Sequence, residues 1–181
     1  INKKIVIMQC NTNYTADKKN FSFINLNVLK KYKKLFPKAI LGLSDHTHGD
    51  ETVLGAVALG ARVIEKHFTD NNYRKGPDHK FSMNPKTWQK MVEETRILEN
   101  SLGDGSKKIE GNENQSVVVQ RRAIRAKKKL LKGLKIKSHM LTYLRPCPKK
   151  ALNPYEKYKI LNKILKKNIA KGDIVTCEKT K

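Results

Sequence analysis

Apolar residues in the first hundred positions recur in two alternating rhythms. Residues 4–8, 39–43 and 62–66 are short runs rich in Ile, Val and Leu, bounded by polar segments, and they read as strands. The run at 4–8 opens into a polar loop at 11–19. Between the strands the spacing lengthens to three and four. Val28, Leu29, Tyr32, Leu35 and Phe36 share a helical face with lysines opposite, and Pro37 stops the run. Val53, Leu54, Val57, Ala58 and Leu59 form a second stripe, with Asp50 and Glu51 at the positive end of its dipole. After a long loop at 69–83, Trp88, Met91, Val92, Thr95, Leu98 and Leu102 mark a third helix, capped by Asn84, begun by Pro85 and ended by Gly103. Three strand–helix units in succession predict an α/β fold with right-handed parallel crossovers, in a barrel or an open sheet. Three units do not close a barrel, which needs eight.

The pattern changes after residue 103. Residues 104–117 are rich in Gly, Ser, Asn, Lys and Glu and read as a linker. Beyond them, 123–126, 130–136 and 141–144 are strand candidates punctuated by Gly133 and Pro146. Tyr155, Tyr158, Ile160, Leu161, Ile164 and Leu165 recur at helical spacing after Pro154, and Gly172 turns the chain into Ile174 and Val175. The predicted organisation is an α/β region at 1–103, a linker at 104–117 and a small, mostly β module at 118–181.

Charge supports this division. Lys and Arg outnumber Asp and Glu 17 to 10 up to Leu102 and 22 to 6 beyond it. A basic second half raises nucleic-acid or acidic-glycan binding as an alternative function. The lysines are spread through every segment without the interleaved aromatic residues of a stacking platform, so a solvated face is the simpler account and nucleic acid is not an expected partner. Cys10, Cys147 and Cys177 are odd in number and far apart, which argues against a disulfide framework. No apolar run reaches about 18 residues and no signal peptide is legible, so no membrane role and a cytoplasmic location are expected. Residue 1 is Ile and a strand-like run follows at once, so an upstream portion is expected to be missing.

In parallel α/β folds, chemistry gathers at the carboxyl ends of strands. His46 and His67 follow consecutive predicted strands and could converge on one ion, although a lone histidine in such a place is more often an ordinary polar rim residue than a ligand. The segment Gly76, Pro77, Asp78, His79, Lys80 could bring a carboxylate and an imidazole to the same rim, or be a plain Gly-Pro turn. Tyr14, after the first strand, could reach the same face, whereas His48 and His139 read as surface residues.

Three motifs carry a resemblance: Ser44-Asp45-His46-Thr47, the stretch from Ala56-Val57-Ala58-Leu59-Gly60-Ala61-Arg62-Val63 through Ile64-Glu65-Lys66-His67-Phe68-Thr69, and Gly76-Pro77-Asp78-His79-Lys80. In order and spacing they closely resemble the last barrel strands of bacterial sialic acid (N-acetylneuraminate) synthases, a family that includes legionaminate and pseudaminate synthases. Arg121-Arg122-Ala123-Ile124-Arg125-Ala126, Leu144-Arg145-Pro146 and Gly172-Asp173-Ile174-Val175 resemble that family's C-terminal antifreeze-like (SAF) domain. The resemblance implies the last three βα units of a TIM barrel followed by the SAF domain. It also implies condensation of phosphoenolpyruvate with an N-acylated amino hexose, with release of phosphate; a related phosphoenolpyruvate-condensing aldolase is the near alternative. On this resemblance His46 and His67 hold a divalent metal, Mn or Mg. Ser44 and Tyr14 contact substrate, Asp78 holds sugar hydroxyls or moves a proton, and Arg145 reaches into the partner's barrel in a domain-swapped homodimer. The family's lysines for phosphoenolpyruvate lie on earlier strands, so this polypeptide alone is expected to be inactive. Two positions depart from the family pattern: Cys147, where Gly is usual after Arg-Pro, and the order Asn11-Thr12-Asn13.

Overall fold

A computed structural model describes residues 4–14 and 17–181, so residues 15 and 16 of the expected loop at 11–19 lie outside the described residues. The chain divides into two compact units, Ile1–Ser106 and Lys107–Lys181.

In the first unit β1 (Val6–Cys10), β2 (Ile40–Asp45) and β3 (Val63–Lys66) form a parallel sheet in the order β1-β2-β3. The first two strands run further toward their carboxyl ends than hydrophobicity predicts. Gln9 and Cys10 pair with Leu43 and Ser44, and Asp45 pairs with Lys66, so polar residues stay extended because the ladder satisfies their backbones. α1 (Val28–Leu35), α2 (Glu51–Ala58) and α3 (Pro85–Leu102) form where the periodicity places them. Asn84 caps α3 by accepting the backbone N–H of Thr87, whose hydroxyl accepts the N–H of Asn84 in return.

All three helices share one core with one face of the sheet: Leu41 and Leu43 of β2 are buried with Leu29 of α1, Val53 and Ala56 of α2, and Met91 of α3. On the opposite face, Val6, Ile40 and Val63 are 41%, 45% and 37% exposed. A parallel sheet normally has both faces covered, so these residues mark an uncovered apolar surface. At its middle β2 needs glycine: a Cβ on Gly42 would lie 2.8 Å from the Val63 carbonyl oxygen and 2.9 Å from Met8 Cγ.

In the second unit, β4 (Ala123–Ala126) and β5 (Leu141–Leu144) pair antiparallel. Ile124, Leu130, Ile136, Ile160, Leu165, Ile169 and Val175 form the core. Three elements differ from the sequence reading. Overlapping the end of the stretch read as a linker, Asn114–Gln120 is a helix, α4. The run 130–136 is not a strand but carries single bridges, Leu130 to Ile169 and Lys135 to Ile164. The helix read through 155–165 is a 3-10 segment, Pro154–Lys159. Beyond it the backbone N–H groups of Asn162 and Leu165 donate to the carbonyls of Ile136 and Leu134, at 2.9 Å each, instead of to the preceding turn. Asn162 also takes a φ of 63°, which no helix accommodates. The helical spacing of Ile160 and Leu165 thus reflects two inward-facing turns of an irregular chain. Among the described residues no helix is long and apolar enough to cross a membrane.

Candidate functional site

Parallel pairing puts the carboxyl ends of β2 and β3 side by side, with Ser44 opposite Glu65 and Asp45 opposite Lys66. Side chains alternate across a strand, so the two pairs lie on opposite faces of the sheet. On one face Ser44 Oγ donates to Glu65 Oε1 at 2.7 Å. On the other, Lys66 Nζ donates to Asp45 Oδ2, within a buried network that includes Thr47 and Thr52.

His46 and His67 come next along the chain. Their ring centroids are 5.1 Å apart, with the planes inclined at 62°. Two imidazoles binding one ion at about 2.1 Å, with a ligand–metal–ligand angle between 90° and tetrahedral, put their centroids roughly 4.6–5.3 Å apart. His46 is 6% exposed, and its Nδ1 is buried without a hydrogen-bond partner. A buried ring nitrogen in this condition is costly unless something meets it. Both observations fit a divalent first-row cation, for which imidazole is a suitable ligand. Among the described residues no group of three or more His, Cys, Asp or Glu side chains is arranged to hold an ion, so the protein donors present here are the two rings.

The structure brings two other expected residues, Tyr14 and Asp78, to this pair. Tyr14 lies edge-on to both rings, at centroid distances of 4.3 Å from His46 and 5.5 Å from His67. Asp78 Oδ2 stands 3.6 Å from His67 Nδ1, and the Asp78 carbonyl is held by the Ser82 backbone N–H at 3.2 Å and by its hydroxyl at 2.6 Å. A carboxylate beside one nitrogen of an imidazole fixes the ring and leaves the other nitrogen to act. Ser44 lies two residues before His46, near the end of β2, where its hydroxyl bonds to Glu65. His79 is tied to Thr69, Nδ1 to Oγ1 at 2.8 Å. Arg145 belongs to the second unit, exposed just past the end of β5. There Arg125 Nη2 donates to the Pro146 carbonyl at 2.8 Å and Arg125 Nη1 to the Gly172 carbonyl at 2.9 Å.

Sequence reasoning did not single out Glu65, Phe81 or the Asp45–Lys66 pair. Alternation from His67 would have placed Glu65 on the histidine face. Phe81, 3% exposed and 5.0 Å from the His67 ring, comes from the long loop and had no local signal.

Comparison with known proteins gives one family. The model of the NeuB family matches residues 1–107. N,N'-diacetyllegionaminic acid synthase of Campylobacter jejuni is 36% identical over 173 residues, covering 96% of this chain and 50% of that protein. Human N-acetylneuraminate-9-phosphate synthase is 32% identical, covering 78% of this chain and 39% of its own length. The crystal structure of spore coat polysaccharide biosynthesis protein SpsE from Bacillus subtilis matches with a TM-score of 0.51 at 30% identity, covering 96% of this chain and 52% of that one. The chain thus spans about half the length or less of these relatives.

Proposed function

This chain belongs to the NeuB family, and from that premise we propose that it is the C-terminal portion of a nonulosonic acid synthase that condenses phosphoenolpyruvate with an N-acylated amino hexose and releases phosphate. The observation that carries the reading is the His46–His67 pair, 5.1 Å apart at adjoining strand ends, with a buried nitrogen left unpartnered.

In this reading the three βα units are the last three of a TIM barrel. The half-length match to the relatives supports it, as does the uncovered apolar sheet face at Val6, Ile40 and Val63, which would line the barrel interior. The second unit is the antifreeze-like domain, presenting Arg145 to the barrel of a partner in a domain-swapped homodimer. Phosphoenolpyruvate is a cytoplasmic metabolite, and the cytoplasm is the proposed place of action.

His46 and His67 would hold Mn or Mg, which when bound supplies Lewis acidity and a template for substrate oxygens. In the reaction, C3 of phosphoenolpyruvate forms the new bond to the aldehyde carbon of the open-chain sugar, water adds at C2, and phosphate leaves by C–O cleavage. Ser44 would contact phosphoenolpyruvate through its hydroxyl. The Tyr14 ring walls the histidine pair and limits where substrate can lie. The Asp78 carboxylate, beside His67, holds a sugar hydroxyl or moves a proton there.

Phosphate release tests the proposal. The 181-residue chain alone is expected to release none from phosphoenolpyruvate and N-acetylated hexosamines. A chimera joining the N-terminal half of the Campylobacter jejuni relative to this chain is expected to release phosphate in a metal-dependent way and to yield a nine-carbon keto acid by mass spectrometry. Turnover by the isolated chain would overturn the half-site reading. A folded chimera that gives no product with N-acylated amino hexoses, the acceptor of the Campylobacter jejuni relative among them, would overturn the synthase reading.

A further inference from the structure

Among the described residues of the first unit, two buried charges, Asp45 and Lys66, immediately precede the two histidines in the chain. The Asp45 and Lys66 side chains are 0% and 1% exposed. Burying two ions costs several kcal/mol each, which their mutual attraction offsets only if the remaining donors and acceptors are also satisfied. Here they are. Asp45 Oδ1 accepts the backbone N–H of Thr47 at 3.1 Å and its hydroxyl at 2.9 Å, while Asp45 Oδ2 accepts Lys66 Nζ and the Thr52 hydroxyl, the latter at 2.7 Å. Lys66 Nζ donates a second bond, at 2.6 Å, to the Thr47 carbonyl.

The partners have a pattern. Lys66 bonds to Asp45 and to Thr47, the residues on either side of His46, and Lys66 itself immediately precedes His67. Thr52, in the first turn of α2, ties the same point to the helix layer. Parallel register sets Asp45 opposite Lys66 at the last position of both strands, Thr52 of α2 bonds to Asp45 there, and His46 and His67 are the next residues along the chain. One buried cation therefore brackets one imidazole and anchors the backbone of the other. A well-packed apolar pair would serve stability alone as well or better.

We propose that Asp45 and Lys66 are positioning residues, which together with Thr52 hold the His46 and His67 rings at the separation that lets both meet one divalent cation. The cation rests on the reading of the preceding subsection; the ring separation does not. Neither residue touches substrate or ion.

The test uses the full 181-residue chain and two variants. Asp45→Leu/Lys66→Met replaces the pair with apolar residues and strands no charge, and Thr52→Val removes one hydroxyl from the network. Two quantities are measured: the nuclear Overhauser contact between the His46 and His67 ring protons, with no metal present, and the Co(II) affinity from its visible absorption, with His46→Ala as the control. In the double variant the ring contact is expected to be lost and Co(II) affinity to fall by about 10–100-fold, the range seen when groups supporting metal ligands are removed, with a smaller fall for Thr52→Val. An unchanged ring contact and unchanged affinity in a folded double variant would overturn the proposal. If the double variant does not fold, Thr52→Val decides by the same two measurements. If the parent chain binds no Co(II) but the ring contact is still lost in the variants, the metal reading fails and the positioning role stands.

Discussion

The imidazole rings of His46 and His67 lie 5.1 Å apart although 20 residues separate them in the chain, because β2 and β3 pair in parallel and end at the same level. Two ligands on one ion act as a unit, and losses from such units are not additive. His46→Ala, His67→Ala and the double variant are therefore each expected to abolish Mn(II) binding to about the same extent. Titration calorimetry of the three proteins checks this. A single variant that retains parental affinity would show that its ring is not a ligand.

The Asn84 cap holds more than a helix end. Its side chain accepts the Thr87 N–H at 3.0 Å and donates to Asn72 Oδ1 at 2.8 Å, and Asn72 in turn donates to the carbonyls of His79 and Ser82, each at 2.8 Å. Asn84→Ala is expected to cost about 1–2 kcal/mol in urea denaturation, the upper part of the usual range for a cap. Amide exchange is expected to quicken in the loop around Asp78 as well as at Thr87, and quickening at Thr87 alone would show that the loop is held independently.

Gly42 has no room for a side chain. A Cβ there meets the backbone oxygen of Val63 at 2.8 Å, which cannot swing away as the Met8 side chain can. Gly42→Ala is expected to destabilise the first unit by about 1–3 kcal/mol through forced separation of β2 from β3. Thermal melting measures the cost. The same strain is expected to weaken the His46–His67 ring contact, since both rings follow those strands.

In the second unit Glu156 is held at a pKa of about 2, first by its hydrogen bond from Lys159, at 2.5 Å, and then by the backbone and side-chain N–H groups of Asn153. A carboxylate with a lowered folded pKa stabilises the fold above its unfolded value, 4.5, and loses that contribution as pH falls toward about 2. The melting temperature of the parent is thus expected to fall over this window more steeply than that of Glu156→Gln. Parallel curves for the two proteins between pH 4.5 and pH 2 would count against the assignment.

Sequence patterns and tertiary pairing determined different parts of this molecule. The three helices of the first unit were legible because each carries its own signals: Pro37 after α1, Asp50 and Glu51 before α2, and Asn84, Pro85 and Gly103 around α3. These act within a turn or two of the residues they affect. The motif wording around His46 and His67 likewise pointed to one family and to both rings. Strand ends were less legible, since Gln9, Cys10, Ser44 and Asp45 are extended only because a neighbouring strand satisfies their backbones.

What hydrophobic spacing could not supply was the identity of each backbone's partner. Ile160 and Leu165 have helical spacing, yet the nearby amides of Asn162 and Leu165 are taken by carbonyls some 26 to 31 positions earlier in the chain, so the chain turns twice without making a helix. Nothing in their spacing marks Asp45 and Lys66 as a pair until parallel register sets them opposite each other, with Thr52 of α2 bonded to Asp45. Local sequence determined where the three helices of the first unit start and stop and which residue types stand just past its strands. Only the tertiary structure decided which charges are buried and how far apart the two rings stand, because burial and distance depend on residues far away in the chain.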